Sequence, residues 1–394
     1  MKKWVYLVLS LGLLLFFMAP QWQSLDRMGE RRFQVLDKPA KETVVGVVWP
    51  FADNQDGMDN GLELAKDEIN AGHLAGAWPI RLVKRDPGFD WEKNKRISME
   101  LSNTPEMCAV LGYYEDSAAI KASVLYETTR LLHIMIGVNA NAMTQRYYQY
   151  IIRTILPNSS CATALARMST ERNYKKLAII WSDDAYGVDL AYQYRVAMDG
   201  QNAEVAYQSS YPLDRADFRP MVNELKEVGA DLIFFAGLEP LAGDFLREAR
   251  AIGLKTPVMG AFTDSPEMRR RAGPLGLEGA MYFDYYDPRQ GGGRNLAFVS
   301  NYKARFGRLP DTMAAQAYDA IYLLARAIRQ TGSHNPLDLS YAIRFMDPWE
   351  GANGFYKFDA RGEIIDKPLY LKQFRNGEPE IIMLSRAAIP TKTP

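Results

Sequence analysis

Short apolar runs alternate along this chain with stretches in which apolar positions recur every three or four residues, and glycine, proline or acidic turns separate them. The first run, TVVGVV over Thr43–Val48, breaks at Trp49-Pro50 and predicts a buried strand. After the polar loop Ala52–Asp56, Met58, Leu62, Ala65 and Ile69 share one helical face. Gly72 then supplies a stop, and a strand resumes over Ile80–Lys84. The pattern repeats with a helix over Trp91–Leu101, a strand over Cys108–Leu111, a helix over Ser117–Thr129 and strands over His133–Ile136 and Tyr150–Arg153. Right-handed crossovers of this kind build a parallel sheet covered by helices on both faces.

A helix over Asn158–Glu171 leads to KKLAIIWSDDAYGVDL, Lys175–Leu190, where an apolar strand, an acidic turn and a helical pattern restart the α/β repeat. The helix is expected over Gly187–Met198, followed by a strand at Glu204–Gln208 and a helix capped by Asp217 with Pro220 in its first turn. Next come a strand at Asp231–Ala236, a helix at Leu241–Ile252, a strand at Pro257–Gly260, a short helix at Pro266–Ala272 and a strand at Met281–Asp284. Gly291–Gly293 is expected as a flexible surface loop. The helices Asn295–Phe306, Met313–Gln330 and Leu337–Met346 have no strand between the last two, so they pack on a sheet that already exists. Gly354–Phe358, Leu369–Phe374 and Pro379–Leu384 give an antiparallel ending, with a hairpin signal at Asn376-Gly377. The fold class is α/β with two lobes.

Ahead of this lies Met1-Lys2-Lys3 and then WVYLVLSLGLLLFFMAP, a basic start and an apolar run that mark export. No cysteine follows, the A-x-A cleavage pattern is missing, and Trp4–Leu25 carries no charge. Such a length spans roughly 30 Å of hydrocarbon as a helix. Residues 1–25 are therefore expected as a retained membrane anchor, with a cleaved signal peptide as the alternative, and 26–42 as a charged tether.

Composition narrows the chemistry. Lys plus Arg and Asp plus Glu number 47 each, so no net field gathers nucleic acid or anionic lipid. Cys108 and Cys161 lack metal or redox spacing, and of His73, His133 and His334 no two share a helical turn. No metal and no cofactor are expected. G-x-S-x-G, H-E-x-x-H and P-loop patterns are absent, which argues against an enzyme.

Four segments, in order, carry a family resemblance: VVGVV with the helix ending KDEINAGHLAG, then DDAYGVDLA, DFLREARAIGLKTPVMG and the tail GANGFYKFDARGE. Over about Thr43–Leu384 the chain resembles the extracytoplasmic solute-binding proteins of branched-chain amino-acid ABC importers, the type I periplasmic binding fold. The resemblance implies two doubly wound parallel-sheet lobes joined by three crossovers, near Arg153–Pro157, Asp284–Pro288 and Trp349–Asn353. Lobe I would comprise 43–153 and 288–348, lobe II 154–287 and 349–390. It also implies a monomer that captures a small solute by hinge closure and presents the closed form to an ABC permease.

In such sheets ligands bind at loops after strand carboxyl ends. The cleft loops are then 49–51, 113–117 and 137–141 from lobe I, and 183–186, 238–239 and 261–264 from lobe II. The candidate ligand contacts are Trp49, Tyr113, Asp116, Ser117, Asn139 and Asn141, facing Tyr186, Phe262 and Asp264. Asp116 equally suits the cap of a helix starting at Ser117, and Asn139 and Asn141 suit turns. Tyr186 also matches the family's lobe II contact. Tyr113-Tyr114-Glu115-Asp116 stands where the family carries serines, and Leu238 where it carries an aromatic residue. Carboxylates and aromatic rings at one cleft suit an amide-bearing or cationic solute. A ligand-sensing ectodomain or co-receptor, and a scaffold that has lost solute binding, are the alternatives.

Overall fold

Residues 25–36 are helical (α1), and their docking decides how the chain enters the fold. A computed structural model describes residues 25–386, apart from 39–40, 54–55, 77, 215–216, 239 and 291. The expected anchor over 1–25, all but its last residue, and the readings at Glu239 and Gly291 lie outside the described residues.

The segment expected as a tether is thus largely a packed helix. Arg32 of α1 is fully buried, with Nε donating to Met107 O at 3.2 Å and Nη2 to Ser102 O at 2.7 Å and Thr104 O at 3.2 Å. Nη1 donates to Thr129 O. These carbonyls end two helices and open a strand, so the guanidinium sits at the negative ends of helix dipoles. Burial lowers its pKa to about 10, and the carbonyl cage keeps it bonded.

Lobe I carries a five-stranded parallel sheet in the order β2-β1-β3-β4-β5. Its strands are β1 Thr43–Val48, β2 Ile80–Arg85, β3 Met107–Gly112, β4 Leu132–Met135 and β5 Ile151–Arg153. Every position of β1 and β3 is buried, which is why they read as continuous apolar runs. Helices α2 Met58–Ala71, α3 Trp91–Ser102, α4 Asp116–Thr128 and the short α5 Ala142–Gln145 connect them.

Lobe II begins with α6 Asn158–Glu171. It continues through β6 Lys176–Ser182, α7 Ala185–Met198, β7 Glu204–Tyr211, α8 Arg219–Val228, β8 Leu232–Ala236, α9 Leu241–Ala251, β9 Val258–Gly260, α10 Pro266–Leu277 and β10 Met281–Asp284. Helix α10 runs further than its sequence pattern predicts, across a kink at Gly273 (φ 65°) and Pro274. The N-cap of α8 is Phe218 rather than Asp217, whose Oδ1 accepts from Arg219 N at 3.1 Å.

Three later helices, α11 Gly293–Phe306, α12 Thr312–Thr331 and α13 Pro336–Arg344, return to lobe I. Gly293, expected in a loop, begins α11. After the small hairpin β11 Trp349–Gly351 and β12 Gly354–Tyr356, strands β13 Pro368–Arg375 and β14 Glu378–Arg386 complete the lobe II sheet, ordered β14-β13-β10-β9-β8-β6-β7. Asn376 and Gly377, at φ 51° and 79°, form the tight turn between them.

The chain connects the two sheets three times, from β5 to α6, from β10 to α11 and from α13 through the β11–β12 hairpin to β13, and one stretch of the C-terminal segment reaches all three connections. Glu363 accepts from Arg153 Nε at 2.9 Å at the first crossing. Lys372 Nζ donates to Asp284 Oδ2 and Tyr286 O, each at 2.8 Å, at the second. At the third, Lys367 Nζ donates to Asn353 O at 2.7 Å, while Asp319 accepts from Ala352 N and Asn353 N at 2.7 Å each. All three cationic side chains are buried. Residues 363–372 therefore staple the hinge through charges that lose their partners if the segment moves away.

Candidate functional site

The lobes meet at the carboxyl ends of both parallel sheets, and the sequence there dictates where each side chain can point. Gly112 ends β3 at φ 122°, where a Cβ would come 2.2 Å from Val48 O. The next residue, Tyr113, has φ 61° and turns back into lobe I. Its hydroxyl bonds Ser98 Oγ at 2.7 Å and Tyr126 OH at 2.8 Å, and its ring meets His133 edge-on at 5.3 Å. The structure thus corrects the cleft-facing reading of Tyr113. Its side chain is core, and burial pushes its phenol up to about 12.

Trp49 follows β1 and is fully buried. Its ring lies where a Cβ on Gly137 would come within 2.7 Å, its Nε1 donates to Asp56 Oδ2 at 3.2 Å, and Tyr114 meets it edge-on at 5.4 Å. Trp49 fills the floor beneath the loops of 113–117 and 137–141. Ser117 is exposed on the first turn of α4. Phe262 is fully buried in the second-lobe core against Tyr282, at 5.8 Å between ring centroids. Asp264 pairs with Arg269 Nη2 at 2.7 Å, and Arg269 also holds Gly377 O at 2.7 Å. Phe262 and Asp264 are therefore engaged within lobe II, because the loop after β9 folds onto its own lobe.

The remaining candidates converge. Asp116, the first residue of α4, accepts from Asn139 N at 3.1 Å through Oδ1, and no side-chain cap bond forms there. Asn139 Nδ2 donates to Leu156 O at 2.6 Å and Tyr285 OH at 2.8 Å, tying the loop after β4 to two crossovers. Asn141 Oδ1 accepts from Ser159 Oγ at 2.8 Å, and Asn141 N approaches Asp189 Oδ2 at 3.4 Å. From lobe II, Asp184 caps α7 by accepting from Gly187 N at 2.7 Å. Gly187 is required by contact: a Cβ would lie 2.3 Å from Ser182 Oγ and 2.8 Å from Ala236 O. This close approach of α7 to β6 and β8 sets Tyr186, half-buried, beside Tyr285.

Three residues that sequence reasoning missed complete the junction. Asn158 Nδ2 donates to Asp189 Oδ2 at 2.9 Å, and Tyr285 OH lies 3.3 Å from Cys161 Sγ. Asn158 carried only the weak signal of a polar residue opening a helix just after Pro157; Asp189 and Tyr285 carried none.

The electrostatics are acidic. Burial raises the pKa of Asp116 to about 7; the backbone N–H groups of Asn139 and Ala140 and the nearby Arg153 oppose the rise, and Asp189 adds to it. Burial also raises Glu115, and Asp184 of the opposite lobe adds to that rise. Arg153 is engaged by Glu363, Ala140 O at 2.5 Å and Thr144 Oγ1 at 3.2 Å. A roomier hollow of about 310 Å³, lined by Tyr174, Arg250, Lys255 and Glu278, lies at the amino ends of the lobe II strands, away from these groups. Among the described residues no cluster of His, Cys, Asp or Glu is placed to hold a metal ion.

Comparison with known proteins places this junction in context. The model of the family described as periplasmic binding protein matches residues 48–379. The Leu/Ile/Val-binding protein homolog 2 of Brucella abortus is 25% identical over 344 residues, 86% of this chain and 91% of its own. The leucine-specific-binding protein of Salmonella typhimurium is 29% identical over 331 residues, 82% and 88% of the two chains. An ABC transporter substrate-binding protein of Desulfitobacterium hafniense, solved with Leu, superposes with a TM-score of 0.78 at 27% identity, covering 86% of this chain and all of its own. A solute-binding protein of R. palustris solved with benzoate shares the fold at TM-score 0.77 and 19% identity, over 88% and 97% of the chains.

Proposed function

We propose a function from one premise: the chain belongs to the periplasmic binding protein family. It is a solute-binding protein of the type that serves ABC transporters, and it works outside the cytoplasm. Our reading is that it takes an amino-acid-like, amide-bearing or cationic solute between its lobes and hands it to a membrane permease. The carrying observation is that Asn141 of lobe I and Asn158 of lobe II both bond Asp189 Oδ2. A solute in that junction touches both lobes at once, so it gains contacts in the closed state that the open state lacks. Closure transmits occupancy to the permease without any bond being made or broken.

The site residues we propose are Asp116, Asn139, Asn141 and Tyr186 from the sequence reading, joined by Asn158, Asp189 and Tyr285. The domain division is proposed as lobe I over 43–153 and 288–348 and lobe II over 154–287 and 349–386. We also propose that the uncharged stretch Trp4–Leu25 is a retained anchor. No helix among the described residues is long and apolar enough to cross a membrane. Supporting the proposal, the described part of α1, which follows that stretch in the chain, is fixed to lobe I by Arg32. A carbonate-washed membrane fraction should retain the full chain, and release into the wash would remove the anchor.

Mass spectrometry of small molecules carried through purification, with solution scattering before and after their removal, tests the function. A bound solute whose loss expands the particle is expected. The double variant Tyr186→Ala, Asp116→Ala should lose that solute. Unchanged affinity in this variant would place the site elsewhere.

A further inference from the structure

The interlobe junction holds buried polar atoms that the folded chain leaves unanswered. Asp116 Oδ2 and Asn158 Oδ1 are acceptors without a donor, and Asn141 Nδ2 is a donor without an acceptor. Their residues are 5%, 0% and 8% exposed. Buried polar atoms are nearly always bonded in native proteins, so three such atoms in one junction point to a missing partner.

They belong to a single constellation. The other end of the Asn158 amide is on Asp189 Oδ2 at 2.9 Å, and Asn141 N reaches the same oxygen at 3.4 Å. Asp116 is bonded to Asn139 N, two residues before Asn141. The charged groups close to Asp116 are Asp189 from α7 and Arg153 from β5, and beside them Glu115, the N-cap of α4, faces Asp184, the N-cap of α7. Arg153 is already paired with Glu363. Two pairs of carboxylates, Asp116 with Asp189 and Glu115 with Asp184, therefore meet across the lobes, and the guanidinium beside Asp116 is committed elsewhere.

We propose that this junction is the subsite for a cationic nitrogen of the solute, a protonated amine, amidine or guanidine that donates to Asp116 Oδ2 and Asn158 Oδ1. Asp189 supplies further counter-charge, and Asn141 Nδ2 donates to a hydroxyl or carbonyl oxygen near that nitrogen. The inference rests on the solute-binding reading above and narrows it. A carboxylate placed here would meet Asp116 and Asp189, with like charges crowded at a partly desolvated site. The proton that Asp116 holds near neutrality is what an unpaired buried carboxylate does without its cation. A bound cation favours the ionised form, so affinity should rise with pH across neutrality.

The test uses the purified full chain, freed of carried-over solute, and calorimetric titration with isoamylamine, agmatine and putrescine as cations. Isovaleramide serves as a neutral probe, isovalerate and benzoate as anions, and L-leucine as a zwitterion. Cations should bind at least about tenfold more tightly than the neutral and anionic probes, and more tightly at about pH 8 than at about pH 6. Asp116→Asn, which keeps the shape of the side chain, should lose about tenfold in cation affinity together with its pH dependence. Asp189→Asn should shift affinity in the same direction, and the thermal midpoint of each free variant shows that it is folded. Binding of L-leucine or benzoate as tightly as the cations, or full affinity in folded Asp116→Asn, overturns the cationic subsite and leaves solute binding standing. If no probe binds and no solute is carried through purification, both readings fall.

Discussion

Replacing Glu363 by Gln tests whether the C-terminal segment holds the hinge through buried charge. The side chain of Arg153 is fully buried, and its Nε meets Glu363 Oε1 at 2.9 Å while Nη2 meets Oε2. The amide keeps the shape but removes the charge and one acceptor, leaving the guanidinium with Ala140 O, Thr144 Oγ1 and a mismatched NH2 group. Breaking a buried pair from one side costs about 3–5 kcal/mol, because the surviving charge stays desolvated. At about 2 °C per kcal/mol for a chain this large, the midpoint should fall by roughly 6–10 °C. Urea unfolding followed by circular dichroism gives the free-energy change, and a thermal melt gives the midpoint. The double variant Arg153→Met, Glu363→Leu removes both charges and should recover most of the loss. A single variant within about 1 kcal/mol of the parent would refute the reasoning, since that is the worth of an exposed pair.

Two further outcomes follow from buried cationic and neutral groups elsewhere. Arg32→Met leaves carbonyls at the ends of α3 and α4 without their donor, so stability should fall by about 2–3 kcal/mol. Trypsin should then cut within 25–38 far faster, and unchanged cleavage would mean that α1 is not held there. Burial drives the His133 pKa down to about 3, so the folded state keeps it neutral while the unfolded chain binds a proton below about 6.5. The unfolded state then holds more protons between these values, and stability is lost as pH falls through that window by up to about 1.4 kcal/mol per pH unit. His133→Phe, placed edge-on among Tyr113 and Tyr126, should flatten this acid limb. A variant with the same slope as the parent would assign the acid loss to other groups.

The repeat of strand and helix was legible because burial on both faces leaves an unmistakable apolar run. β1, β3 and β8 are buried throughout, and their neighbours carry clear helical periodicity. Docking of α1 was not legible. A single arginine among charged residues looks like a solvated turn until four carbonyls from distant segments surround it. The stapling of the hinge failed to show for a similar reason: Glu363, Lys367 and Lys372 look like ordinary surface charges in a strand-rich tail.

The site divides along the same line. Loop position after a strand is a local property, and Asp116, Asn139, Asn141 and Tyr186, chosen by it, lie near the interlobe junction. Rotation about one backbone angle is also local, yet it escaped notice: φ 61° at Tyr113 sends a candidate ligand contact into the core. Sequence by itself determined the α/β class, the two series of strands and the family. Only the tertiary structure decided which polar atoms remain unanswered between the lobes. Whether Asn158 and Asp189 meet depends on how α6 and α7 pack, and whether Asp116 keeps a free oxygen depends on a backbone N–H 23 residues away. Hydrogen-bond satisfaction and desolvation belong to the assembled chain, and no residue carries them alone.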